Sequence, residues 1–448
     1  MVASFTELGR ADGGGLIAAN PGPDLAAAGY VETEFAVRGE ARAFEVVAPP
    51  GRGTHVAVTE VADFCTRAVV RQPAEGVHCS GTVIVEWLNV SSGSDAGPGY
   101  TYLAEELVRS GDIWVGISAQ YVGVAGGQGT VGTPGSTPAS GLIGQQRYQA
   151  LSHPGDSFCY DIFTQVAGAL GDSQGPLGHV DISCLLAIGE SQSALALTTY
   201  VNQVSQLDNV FGGFLIHSRA AAGLPLHTPD RAIDLLPVFR QPATPIRDDL
   251  TVPVFVVQTE TDILGDFRYH DARQEDGPLF RLWEIAGNAH ADRYLVGPFE
   301  EFLGCSGPVN RGQQRFVLRA ALRALIRWVT TGEAPAPAER LLTTTSSEGE
   351  IRFETDDVGN VRGGVRTPCV DVPVAVLSGL GRRDESRICR LFGSTDRIEP
   401  AVLAQRYRDV DDYLRQYTAA TDAAIAAGVV LESDRDELLA DAEPDALT

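Results

Sequence analysis

The stretch SCLLAIGESQSALALTTYVNQVSQ, residues 183–206, joins an apolar run of strand length (183–188) to a helical pattern (191–206) through Gly189-Glu190-Ser191-Gln192-Ser193. A strand, a sharp turn and a helix lift a serine hydroxyl clear of a sheet edge. They also aim the positive end of the helix at negative charge developing beside it. Ser191 is therefore the expected nucleophile. Such turns more often read G-x-S-x-G, and here Ser193 replaces the second glycine. Close helix–strand packing asks for a small residue at that position, and serine is small.

Similar apolar runs recur at 82–90 (TVIVEWLNV), 112–119 (DIWVGISA), 210–217 (VFGGFLIH), 252–258 (VPVFVVQ) and 280–286 (FRLWEIA). Continuous apolar runs fit strands buried on both faces, and the helical patterns at 101–109 and 157–170 alternate with them. The order predicts an α/β fold with a mainly parallel central sheet flanked by helices. Upstream, residues 30–48 alternate polar and apolar about Gly39-Glu40, which predicts an antiparallel hairpin turning there. A helix over 313–330 stops at Gly332 with Pro335 and Pro337 beyond, so the core is expected to span 1–332. Cap-like insertions fall at about 121–150, rich in Gly, Ser, Thr and Pro over 121–146, and at about 220–250. Residues 333–448 read as a C-terminal extension packed on the core. It has extended sequence at 349–374 and helical sequence at 400–427, with Leu403, Tyr407, Val410 and Leu414 on one face.

A nucleophilic serine needs a base, and the base needs an orienting acid. In the α/β-hydrolase plan both follow the serine, acid first, each after a later strand. The strand at 252–258 leads into Thr259-Glu260-Thr261-Asp262, and the strand at 280–286 into Gly287-Asn288-Ala289-His290. His290 is the expected base. Asp262, farther into its loop, is favoured as the acid over the alternative, Glu260. The oxyanion donors are expected to be the N–H of Gln192, the residue after the nucleophile, and that of Val90, in the loop after strand 82–90.

The net charge of −24 and pI near 4.7 set up a field that repels nucleic acid and anionic lipid, so a neutral or cationic small molecule, here an ester substrate, is the expected partner. No run of about 18 apolar residues is present to span a bilayer. The opening MVASFTELGRADGGG lacks basic and apolar signal regions, and a soluble, cytoplasmic chain is expected. His153 with Asp156 falls short of the three or four ligands a zinc site takes, so neither metal nor other cofactor is expected. Arg219 and His217, at a strand end, read as an ion pair or as substrate contacts. The seven cysteines lack C-x-x-C spacing and are expected as buried free thiols, with a Cys305–Cys389 bridge as the alternative.

Several strings together resemble a bacterial α/β-hydrolase domain-containing family over nearly the whole chain. They are residues 81–90, Leu151-Ser152-His153-Pro154-Gly155-Asp156, Gly189–Ser193, His217-Ser218-Arg219, residues 259–262, Ala286–Asp292 and residues 359–368. The resemblance implies a serine esterase that cleaves a carboxylic ester or lactone. An acyltransferase using the same three residues, or an inactive hydrolase-fold binding protein, are the competing expectations.

Overall fold

The apolar runs become strands in the computed structural model, which describes residues 3–447 apart from 10–15, 17, 48–55, 131–138, 140 and 383–384. The chain forms two compact units. The first runs to Val254 and takes in Ile326–Glu333; the second comprises Phe255–Leu325 and the chain from Ala334 onward. Part of the insertion at 121–150 lies outside the described residues.

The first unit holds β1 (Ser4–Glu7), β2 (Tyr30–Val46), β3 (Val56–Pro73), β4 (Thr82–Trp87), β5 (Ile113–Ile117), β6 (Cys184–Glu190) and β7 (Gly213–His217), in the order β1-β2-β3-β5-β4-β6-β7. β4 pairs in parallel with β5 and β6, and β6 with β7. Residues of β4, β5 and β7 are buried throughout, as strands covered on both faces require. Helices α1 (Pro98–Ser110), α2 (Cys159–Gly168) and α3 (Gln192–Thr199) connect them. Glu86, mid-strand in β4, takes N–H donors from Gly99 (2.8 Å) and Tyr100 (2.7 Å) at the start of α1 and from the Trp114 indole (2.9 Å). Burial still pushes its carboxyl up to about 7.

The expected hairpin turn at Gly39-Glu40 is not there. β2 runs straight through it and pairs antiparallel with β3, so the hairpin's second arm is Val56–Pro73. Gly39 lies opposite Phe64, and a Cβ on it would meet that ring at 2.7 Å. The glycine makes room for a cross-strand aromatic ring rather than for a turn.

In the second unit β8 (Val254–Thr259) and β9 (Phe280–Ile285) lie side by side. Helix α4 (Glu260–Leu264) follows β8, and then comes α5 (Gln314–Thr331), whose residues to Leu325 belong to this unit. The rest is built from the C-terminal chain: the hairpin β10 (Thr343–Thr345) and β11 (Ile351–Phe353), the pair β12 (Ala375–Ser378) and β13 (Ser394–Arg397), and helices α6 (Arg387–Phe392), α7 (Pro400–Arg406), α8 (Val410–Ala426) and α9 (Arg435–Ala440). This chain is hydrogen-bonded into the unit, with Val365 exchanging backbone bonds with Glu284 (2.7 Å) and Ala286 (3.0 Å) along β9. Arg319 of α5 meets Asp434 at 3.0 Å with both side chains fully buried.

The helical sequence at 400–427 forms two helices. Asp409 caps α8 by accepting the Asp412 N–H, which re-phases the apolar stripe. The buried face is therefore Tyr413, Tyr417, Thr421 and Ala424, while Leu414 is exposed. Cys305 and Cys389 form a disulfide rather than free thiols, closing a separation of 84 residues; Cys65, Cys79, Cys159, Cys184 and Cys369 are free.

Candidate active site

Ser191 directly follows β6 and caps α3 with φ 59° and ψ −120°. A residue with a Cβ is held there at a cost of about 1–3 kcal/mol, and such strain concentrates at functional sites. Two features support it locally. The Ser191 N–H donates to the His217 carbonyl of the next strand at 3.1 Å. Gly189 is required as glycine, since a Cβ would meet the Ser193 carbonyl oxygen at 2.9 Å where helix and strand come closest. Ser193 itself is fully buried. Gln192 is the first residue of α3, so its N–H has no carbonyl within the helix to pair with.

In the same unit, the loop after β4 is closed by paired backbone bonds between Asn89 and Ala96 (2.9 and 2.8 Å), and it carries Val90. The Asn89 amide nitrogen donates to the Glu190 carbonyl at 2.9 Å, so this loop is tied to the residue just before Ser191.

In the second unit, Asp262 Oδ1 lies 2.8 Å from His290 Nδ1. Asp262 Oδ2 accepts the Thr259 N–H (2.7 Å) and hydroxyl (2.8 Å). Asp262 is thus the third residue of α4 in a capping box, one oxygen on the helix start and the other on the imidazole. The Nδ1 proton is held by the carboxylate, which leaves Nε2 as the basic nitrogen. Phe267 stacks on the imidazole with ring centroids 4.4 Å apart.

Glu260 does something else. Its oxygens accept the N–H groups of Gly287 (2.6 Å) and Gly379 (2.8 Å), tying together the loop before His290 and the C-terminal chain. It is buried, and desolvation raises it to about 7 despite those two donors. The His290 loop is held residue by residue. The His290 N–H donates to Thr261 Oγ1 (3.0 Å), that of Ala291 to the Leu391 carbonyl (3.1 Å), and Gln314 Nε2 to the Ala289 carbonyl (3.0 Å) and to Asp292 (2.9 Å). Asn288 Oδ1 receives the Gln314 N–H at 2.9 Å.

Other polar residues singled out in the sequence have structural partners. His153 donates from Nε2 to the Ala119 carbonyl (2.9 Å) and accepts the Gly155 N–H at Nδ1 (3.2 Å), and burial lowers it to about 4. Both ring nitrogens are hydrogen-bonded to backbone groups. Asp156 accepts the Tyr121 (2.6 Å) and Ile233 (2.8 Å) N–H groups and is raised to about 6 by burial. Arg219 donates to the carbonyls of Ala220 (3.0 Å) and Ala221 (2.9 Å), bracing the backbone after β7. Among the described residues no group of three or more His, Cys, Asp and Glu side chains is placed to hold a metal, and no helix is long and apolar enough to cross a membrane.

Sequence reading missed Thr261, Phe267, Asn288, Gln314 and Gly379 as supports. It also missed that Thr259-x-x-Asp262 has capping-box spacing, a local signal separating Asp262 from Glu260.

The profile of a family described as an alpha/beta hydrolase domain matches residues 6–440. No curated protein matches the sequence. Similar solved structures include an α/β serine hydrolase without a lid from Xanthomonas campestris (13% identity, 64% of this chain and 94% of that one, TM-score 0.32). Another is a cold-adapted esterase from an Arctic intertidal metagenomic library (14%, 62% and 91%, 0.31). A third is the ferulic acid complex of Est1E from Butyrivibrio proteoclasticus (9%, 59% and 96%, 0.34).

Proposed function

The chain belongs to the alpha/beta hydrolase domain family, and from that premise we propose that it is a serine hydrolase cleaving a carboxylic ester or lactone through an acyl-enzyme intermediate. The observation that carries this reading is the non-glycine, left-handed backbone of Ser191 between a buried strand and a helix start, a geometry with a cost and no evident structural need. The Asp262–His290 pair supports it from the second unit.

In the proposed reaction Ser191 Oγ attacks the ester carbonyl carbon while its proton passes to His290 Nε2. Asp262 stabilises the imidazolium so formed. The N–H groups of Gln192 and Val90 hold the oxyanion of the tetrahedral intermediate. Collapse expels the alcohol, which takes the proton from His290. A water molecule then gives a proton to His290 and attacks the acyl carbon; collapse breaks the acyl–Ser191 bond and releases the acid while His290 returns its proton to Ser191 Oγ.

The test is a panel of p-nitrophenyl esters of increasing chain length, aryl esters and lactones, run on wild type and Ser191→Ala, with labelling by a fluorophosphonate. Turnover and labelling that both vanish in Ser191→Ala are expected. Absence of labelling in wild type would leave a binding protein, and preferential transfer to an added alcohol would make it an acyltransferase.

A further inference from the structure

The loop 89–96 is pinned at both ends. At its far end Asp95 receives Arg67 Nη2 at 2.8 Å and the Ser118 hydroxyl. Arg67 is fully buried, with Glu34 at 3.6 Å as its second carboxylate. The middle is steadied by the Thr130 N–H, which donates to the Ser91 carbonyl at 2.8 Å. At the near end stands Asn89, itself buried. Its Oδ1 accepts the Ser91 N–H at 2.8 Å, an ordinary Asx turn that shapes the loop locally. Its Nδ2 reaches the Glu190 carbonyl at 2.9 Å and the Glu190 carboxylate at 3.4 Å, across 101 residues of sequence. A local turn needs the first bond and not the second. The second joins the residue before Val90 to the residue before Ser191.

We propose that Asn89 is a positioning residue that sets the Val90 N–H against the Ser191–Gln192 elbow, so that the two oxyanion donors keep a fixed separation. The inference rests on the reading of Val90 and Gln192 as those donors. A single bond between neighbours of both donors is the shortest link that could fix their spacing, and misplacing a catalytic group by about 1 Å costs on the order of a hundredfold in rate.

Asn89→Asp separates the two jobs of the side chain. An aspartate still accepts the Ser91 N–H but presents an oxygen, not a donor, to the Glu190 carbonyl and carboxylate. Asn89→Ala, which removes both bonds without adding charge, covers the case in which the aspartate variant does not fold. Rates are measured on a p-nitrophenyl ester per active site titrated with fluorophosphonate, so that misfolded protein does not count. The expected result is a kcat lowered about ten- to hundredfold with KM within about twofold. The affinity for a trifluoromethyl ketone, whose adduct on Ser191 carries the oxyanion, should fall in parallel with kcat/KM. A merely structural role would lower the titrated fraction and the Tm but leave kcat per site and ketone affinity unchanged, and that result would overturn the proposal. If instead wild type neither labels nor turns over, or Ser191→Ala stays active, the hydrolase reading itself fails and takes this inference with it.

Discussion

The two carboxylates of α4 make opposite demands on an amide substitution, and this yields a sharp prediction. In Asp262→Asn the side chain can be placed two ways. Oδ2 faces the Thr259 backbone N–H at 2.7 Å, a group that can only donate, so the amide oxygen is drawn to that side. The NH2 group is then left facing His290 Nδ1 and forces the ring to accept there. The proton moves to Nε2, the nitrogen that should receive the serine proton. The expected loss is about 10^4 in kcat, or roughly 5.5 kcal/mol, with KM little changed. In Glu260→Gln both oxygens had accepted backbone N–H groups, at 2.6 and 2.8 Å, so one of Gly287 and Gly379 now meets an NH2. The cost is about 1–3 kcal/mol of stability, with a modest loss of rate. Its pH dependence has a definite sign. Burial raises the Glu260 carboxyl to about 7 in the folded chain. A group raised above its unfolded value, about 4.3, contributes stability that is full below that value and is lost as pH climbs through 7. The penalty of Glu260→Gln should therefore be largest near pH 4 and shrink by pH 8. The assay pairs kcat and KM per titrated site with urea unfolding at several pH values. A kcat defect larger in Glu260→Gln than in Asp262→Asn would refute the reasoning.

Reducing the Cys305–Cys389 bond, or replacing Cys305 by serine, should cost about 4–5 kcal/mol in urea unfolding, since it opens a loop spanning 84 residues; a midpoint insensitive to dithiothreitol would mean the thiols are free. Arg319→Ala leaves Asp434 fully buried without its 3.0 Å partner and should cost about 3–5 kcal/mol in the same assay, whereas Arg319→Met combined with Asp434→Leu, which removes both charges, should recover most of the loss. Ser193→Ala deletes a buried hydroxyl that has no hydrogen-bond partner among the described residues, so unfolding should show it neutral or more stable by about 1 kcal/mol, and a loss above 1 kcal/mol would reveal a bond to that hydroxyl.

What was legible in the sequence, and what was not, divides on where the stabilising partner lies. β4 to β9 were readable because strands covered on both faces are apolar at most positions, so the signal is local. Ser191 was readable because the strand, the turn and the helix are contiguous. The separation of Asp262 from Glu260 was also locally available, in the spacing of Thr259 and Asp262, and only the roles of the more distant Gly379 and Gly287 were hidden. β3 escaped because Thr59, Glu60, Asp63, Thr66 and Arg67 all interrupt its apolar pattern, yet the Arg67 guanidinium is fully buried between Glu34 and Asp95, which lie in other segments. The Gly39 turn was misread for the same reason, since the ring that needs the glycine sits on the opposite strand. Cysteine pairing cannot be deduced from spacing either.

Four buried ionisable residues share one feature. Arg67, Glu86, Glu260 and Arg319 are charged residues buried in apolar surroundings, and each is satisfied by donors or counter-charges from another element. Desolvating such a group costs several kcal/mol unless it is paired. A charge inside an otherwise apolar element therefore carries information. It argues less against the element than for a partner elsewhere in the chain, and in the second unit the partners of Glu260 and Arg319 include the C-terminal residues Gly379 and Asp434. The extension after Glu333 is thus written into the unit that carries Asp262 and His290 by residues upstream of it, because α4 and α5 each bury a charge that only this extension meets in full.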